Sequence, residues 1–146
     1  IVITNQSGIS RNFFSWEDYE KVTNRMLEII NLPNAINAIY ANGEGPNELK
    51  ACESWRKPNP NMLIKASKDF NIDLSESILI GDRLSDIQCG EKAGLKNLIH
   101  VLTGHGQSER GKVIENYSQT NKDLNLILTD DLSCLHKDEL FKDLFF

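Results

Sequence analysis

The chain has 146 residues, 40% of them apolar and 25% charged, with a formal net charge of −5. That length buries one core without disulfide or metal staples, and no apolar run approaches a membrane span. Sixteen basic residues against twenty-one acidic ones, scattered rather than massed in a stripe, exclude a nucleic-acid footprint, so an anionic ligand needs a local basic pocket.

Ile1 to Ile3 form a first strand, and because the chain opens inside this apolar run rather than on methionine, residues are expected upstream of it. The polar loop Thr4-Asn5-Gln6-Ser7-Gly8 ends the strand. Ser15-Trp16-Glu17-Asp18 has the form of a capping box, and Tyr19, Val22, Met26, Ile29 and Ile30 follow at helical spacing until Asn31-Leu32-Pro33. Ala38 to Ala41 make a second strand, followed by a polar loop from Asn42 to Trp55 that holds Gly43, Gly45 and Pro46. Arg56-Lys57-Pro58-Asn59-Pro60 then leads into a helix from Asn61 to Phe70, with Met62, Leu63, Ala66 and Phe70 on one face.

The second half repeats the alternation. Ser75 to Ile80 are a third strand, Asp86 to Ala93 a helix closed by Gly94, and Asn97 to Leu102 a fourth strand. Thr103-Gly104-His105-Gly106 is a turn, Glu109 to Gln119 a helix, Leu124 to Leu128 a fifth strand, and His136 to Phe146 a terminal amphipathic helix. Strands alternating with helices predict an α/β fold: three layers, a mostly parallel sheet with helices on both faces, over a single domain of residues 1–146. Three widely spaced cysteines, Cys52, Cys89 and Cys134, with no C-x-x-C pair, point to a reduced, cytoplasmic protein.

The most telling stretch is Ile78-Leu79-Ile80-Gly81-Asp82-Arg83-Leu84-Ser85-Asp86. An apolar strand that stops at a glycine and delivers two carboxylates four residues apart places Asp82 where parallel sheets keep their ligand crevice. Oxygen-only ligands suit Mg²⁺, which needs few protein carboxylates. A helix-capping aspartate with a solvated partner would be spelled the same way, so the neighbouring strand ends must decide.

They do so by their order. Thr4-Asn5-Gln6-Ser7-Gly8, Arg56-Lys57-Pro58 and Gly81-Asp82-Arg83-Leu84-Ser85-Asp86 end successive strands, and together they resemble motifs two, three and four of the haloacid dehalogenase superfamily of phosphohydrolases. The flanking forms Thr-Asn-Gln-Ser-Gly-Ile, Arg-Lys-Pro-x-Pro-x-Met and Gly-Asp-x-x-Ser-Asp-Ile resemble its heptose bisphosphate phosphatase branch, with the histidinol-phosphate phosphatase domain as a close relative. The likeness runs from Ile1 to about Gly106.

The resemblance implies a phosphomonoester hydrolase of a small sugar phosphate, with Thr4 and Lys57 catalytic and Thr4, Asn5, Gln6, Ser7, Arg56, Lys57 and Arg83 binding substrate. Asp82 would hold Mg²⁺, and Asp86 would orient Lys57 or a metal-bound water. These residue types suit the chemistry: phosphoryl transfer spreads charge over equatorial oxygens and needs a fixed cation, hydroxyl or amide donors and a metal. Lys57 is a point charge, Arg56 and Arg83 are planar forks for anionic or hydroxyl-rich groups, and Thr4 is a hydroxyl donor.

Two departures matter. The family's first motif, an Asp-x-Asp whose first carboxylate attacks phosphorus and whose second works as acid and base, is absent from this sequence. Thr129-Asp130-Asp131 imitates it with adjacent aspartates in the wrong order along the chain. The aspartyl-phosphate nucleophile is therefore expected upstream of Ile1, the sheet is expected to lack its first strand and expose apolar edges, and the 146 residues alone are expected to be inactive. Many members of the branch also carry a Cys/His zinc cluster in the loop before the third motif. Here Tyr40 to Trp55 holds only Cys52 and no histidine, so zinc is expected to be absent.

The expected partner is a small phosphorylated sugar, with no nucleic acid and no membrane, and the expected state is a monomer. Two other possibilities remain open at this level: another small phosphomonoester such as histidinol phosphate, and a fragment that binds Mg²⁺ or phosphate without turnover.

Overall fold

The computed structural model describes residues 1–46, 53–118 and 123–133. Cys52, Cys134 and the expected terminal helix from His136 lie outside the described residues. The class is α/β as expected, and every strand pairing is parallel. Among the described residues the strands form two sheets, one of two strands and one of three, and the chain divides into two compact units, residues 1–72 and the residues from Asp73 on.

In the first unit, β1 (Val2–Asn5) pairs with β2 (Ile39–Asn42), with Thr4 beside Ala41 and Asn5 beside Asn42. Helix α1 (Trp16–Ile30) starts where the capping box puts it: the Ser15 hydroxyl accepts from the Asp18 N–H, and the Asp18 carboxylate accepts from the Ser15 N–H. It ends on Asn31 in the left-handed region, φ 46°, whose N–H closes on Leu27 O. The apolar stripe of α1 is less covered than its spacing implies. Val22 and Ile29 are 69% and 68% exposed, and Tyr19, Val22 and Met26 instead line a cavity of about 470 Å³ with Val2, Phe14 and Ile39. A two-stranded sheet is too narrow a floor for a 15-residue helix. Helix α2 (Asn61–Phe70) has the expected bounds and buries Met62, Leu63 and Ala66.

In the second unit, β3 (Ile78–Gly81), β4 (Asn97–Val101) and β5 (Asn125–Thr129) lie in that order, with β4 central and buried along its whole length. The register makes one rung of Leu79, Leu98 and Leu126 and the next of Ile80, Ile99 and Ile127, so leucines line one face and isoleucines the other. Ile99, Val101 and Ile127 form a core with Ile78 against it. Helix α3 (Leu84–Lys92) brings Gly90 onto the leucine face, where a Cβ would lie 2.4 Å from Leu98 Cδ2. Helix α4 spans Gly106–Tyr117, three residues earlier at its start than the spacing predicts. No helix of the described residues is long and apolar enough to cross a membrane.

Candidate active site

The first unit gathers its predicted site residues at the carboxyl end of β1. Asn5 clamps the main chain of Lys57: its Oδ1 accepts the Lys57 N–H at 3.0 Å and its Nδ2 donates to Lys57 O at 3.2 Å. The Lys57 ammonium donates to Ile3 O at 3.1 Å, which sets the cation beside the strand end. Gln6 donates from Nε2 to Thr4 Oγ1 at 2.9 Å, leaving the Thr4 hydroxyl hydrogen to be donated to a ligand oxygen. Residues 52 apart in sequence therefore meet as a hydroxyl, an amide and an ammonium.

Ser7 is held by a residue the sequence reading did not single out. Arg11 donates from Nε to Ser7 O at 3.1 Å and from Nη2 to Ser7 Oγ at 3.2 Å, and its guanidinium stacks over Phe13 at 4.8 Å. The signal was the i, i+4 spacing of Ser7 and Arg11 within a loop.

Arg56 is placed by a second network. Glu44 accepts from the Ser54 hydroxyl at 2.6 Å and from Asn42 Nδ2 at 3.1 Å, Ser54 Oγ accepts the Arg56 N–H at 3.0 Å, and Arg56 Nη1 donates to Glu44 O at 2.9 Å. This carboxylate knot joins the two described ends of the loop between β2 and α2, where relatives are expected to use zinc. The Ser54 hydroxyl first, and the Asn42 amide next, hold the Glu44 carboxyl below its ordinary value of 4.5. A lowered folded value means the contribution is complete above pH 4.5 and is lost as the pH falls below it. Ser54→Ala is expected to cost about 1 kcal/mol at neutral pH and to flatten the acid limb of stability, measured by chemical denaturation at pH 7 and below 4.5. An acid limb unchanged from wild type would reject Glu44 as its source.

The second unit holds Asp82, Arg83 and Asp86 at the carboxyl end of β3. Asp86 is buried in the first turn of α3, and its Oδ2 accepts from the N–H groups of Asp82 at 3.2 Å and Arg83 at 3.0 Å. That ties the strand-to-helix turn, and the Gly81 position admits no side chain, since a Cβ there would lie 2.4 Å from Asp86 Cβ. Glu109 reaches from α4 to accept the Leu84 N–H at 3.3 Å. Arg83 is exposed.

The Asp82 carboxylate lies beyond the last ladder residue of its strand, and its Oδ2 accepts the His105 N–H at 2.7 Å. The turn from Thr103 to Gly106 thus grips an aspartate. Among the described residues no group of three or more His, Cys, Asp or Glu side chains gathers as a metal cage. A lone carboxylate at a strand end fits Mg²⁺, which keeps most of its waters and takes one or two protein carboxylates.

The comparisons with known proteins agree with this geometry. The HAD-hydrolase-like family model matches residues 54–124. A D-glycero-α-D-manno-heptose-1,7-bisphosphate 7-phosphatase of Photorhabdus laumondii is 38% identical over 75% of this chain and 62% of its own length. One of Campylobacter jejuni is 35% identical over 90% of this chain and 72% of its own. The D,D-heptose 1,7-bisphosphate phosphatase of B. bronchiseptica, solved with magnesium and phosphate, superposes with a TM-score of 0.75 at 25% identity, over 97% of this chain and 73% of that one. The chain spans between about half and three-quarters of the length of the curated relatives it matches. On the Campylobacter relative's identity and coverage, the chain belongs to the haloacid dehalogenase-like hydrolase family, on the branch that holds the heptose-1,7-bisphosphate 7-phosphatases.

Proposed function

We propose that the complete protein is a Mg²⁺-dependent phosphatase of a small phosphorylated sugar, D-glycero-D-manno-heptose 1,7-bisphosphate, working as a cytoplasmic monomer in the supply of surface-glycan precursors such as those of lipopolysaccharide. The observation that carries this reading is the Asn5 clamp on Lys57, which brings a strand-end hydroxyl and a lysine from a distant loop to one place. Both relatives quoted above act, by their names, on that bisphosphate.

The residues take the following parts. Thr4 donates its hydroxyl, and Lys57 supplies the fixed positive charge, to the transferring phosphoryl oxygens. Arg56, held by Glu44, and Ser7, held by Arg11, receive the remainder of the sugar phosphate, with Gln6 keeping the Thr4 oxygen oriented. Asp82 holds Mg²⁺, which when bound neutralises phosphoryl charge. Asp86 keeps the Asp82–Arg83 turn in shape. The nucleophilic aspartate, which takes the phosphoryl group as an aspartyl phosphate, is not among these residues, and all 146 of them count as one domain.

The cavity beside α1 is lined by Val2, Phe14, Val22, Met26 and Ile39 together with Thr4 and Gln6, so the Thr4 hydroxyl borders it. The test is phosphate release by the complete protein. Release from the heptose bisphosphate is expected with Mg²⁺ and abolished by EDTA, with histidinol phosphate turned over at least about tenfold less efficiently in kcat/KM. Equal turnover of both substrates would reject the sugar assignment, and full activity in EDTA would reject the metal.

A further inference from the structure

We propose that His100 and Arg110 are a positioning pair that fixes the main chain of Asp82; this rests on the reading of Asp82 as the Mg²⁺ carboxylate. His100 occupies the middle strand, β4, and is completely buried. Its register neighbours are Gly81 and Leu128, inside a parallel sheet where apolar side chains are the rule. A buried imidazole is tolerated only with both nitrogens paired. Both are paired: Nε2 lies 3.2 Å from Asp82 O, and Nδ1 lies 2.9 Å from Arg110 Nε.

The partners dictate the tautomer. Arginine has donors and no acceptor, so Nδ1 must present its lone pair to Arg110, and the proton sits on Nε2 and is donated to Asp82 O. Arg110 is anchored in turn, donating from Nη2 to His100 O at 3.1 Å and to Thr129 O at 2.6 Å. One guanidinium and one imidazole therefore tie together the carboxyl ends of β3, β4 and β5.

Asp82 is gripped from two sides. Its main-chain carbonyl, one residue past the end of the strand, goes to His100, and its carboxylate goes to the His105 N–H. The imidazole cannot itself touch a substrate, since it is fully buried with both nitrogens engaged. Its influence runs through the peptide of Asp82, and a misaligned ligand binds its metal more weakly; losing such a supporting partner typically weakens affinity about 10- to 100-fold.

The experiment uses the complete protein with Mn²⁺ as the probe, its binding followed by electron paramagnetic resonance, alongside thermal melting and long-range ¹H–¹⁵N correlation of the histidine rings. Asp82→Asn should weaken Mn²⁺ binding by more than about 100-fold, and if it does not, the assignment of Asp82 fails rather than the pair. Given that loss, His100→Leu is expected to weaken Mn²⁺ binding about 10- to 100-fold. His100→Gln is expected to restore it to within about threefold, because its amide carries one acceptor for Arg110 and one donor for Asp82 O. Wild-type affinity in His100→Leu, an affinity in His100→Gln no better than in the leucine variant at equal melting temperature, or an Nδ1-protonated ring in the wild type would each overturn the proposal. Should His100→Leu not fold, the glutamine variant and the ring tautomer decide it alone.

Discussion

Asp82→Asn and Lys57→Ala are each expected to lower phosphate release by the complete protein about 10²- to 10³-fold, and by different routes. Asparagine keeps the size of Asp82 and an oxygen to accept the His105 N–H, so the turn should hold while the charge that attracts a divalent cation is removed. The deficit should shrink as Mg²⁺ is raised. Lys57→Ala keeps the Asn5 clamp, because both of those hydrogen bonds are to the main chain of residue 57, and removes only the ammonium at the end of β1. Its deficit should persist at any Mg²⁺ concentration, since no cation replaces a positioned point charge. Initial rates of phosphate release across a Mg²⁺ titration separate the two, and wild-type turnover in either variant would remove that residue from the site.

What the sequence displayed, and what it hid, divides along the range of the interactions. Local signals were legible. The capping box of Ser15 and Asp18 starts α1 as read, α2 keeps its bounds of Asn61 and Phe70, and the apolar runs before Gly81 and Leu102 became β3 and β4. The chemistry-bearing residues were legible for a related reason: Thr4, Lys57 and Asp82 follow breaks in apolar or helical pattern, and such breaks mark strand ends and loops. Their partners were not. Asn5 and Lys57 are 52 residues apart, His100 and Asp82 are 18 apart, and Ser54 and Glu44 are 10 apart across a loop. No periodicity announces such pairs.

The same distinction applies to His100, whose separation along the chain from His105 and His136 matches no metal-ligand motif. Only the register with Gly81 and Leu128 reveals that it stands in the interior of the sheet. It also explains α1, whose stripe of Tyr19, Val22 and Met26 has helical period but a cavity in front of it. Periodicity reports which face would be buried, and the element that buries it is a tertiary matter.

Gly104→Ala should cripple the enzyme while Gly94→Ala should not, although both glycines have positive φ, +64° and +85°. Each alanine is forced into a left-handed backbone, a stability cost of about 1–2 kcal/mol that the two variants share. They differ in what the new Cβ meets. At Gly94 nothing lies within 4 Å, whereas at Gly104 the Cβ would lie 2.4 Å from Asp82 Oδ2 and 3.2 Å from its Cγ. The carboxylate would have to swing away, giving up the His105 N–H and the orientation in which it would hold its cation. A displacement on the order of 1 Å at a reacting centre costs about 10²-fold in rate. Melting temperatures of the two variants should therefore fall together while kcat/KM separates by about that factor. A Gly104→Ala enzyme as active as Gly94→Ala would mean that the turn after β4 only leaves the strand and does not hold Asp82.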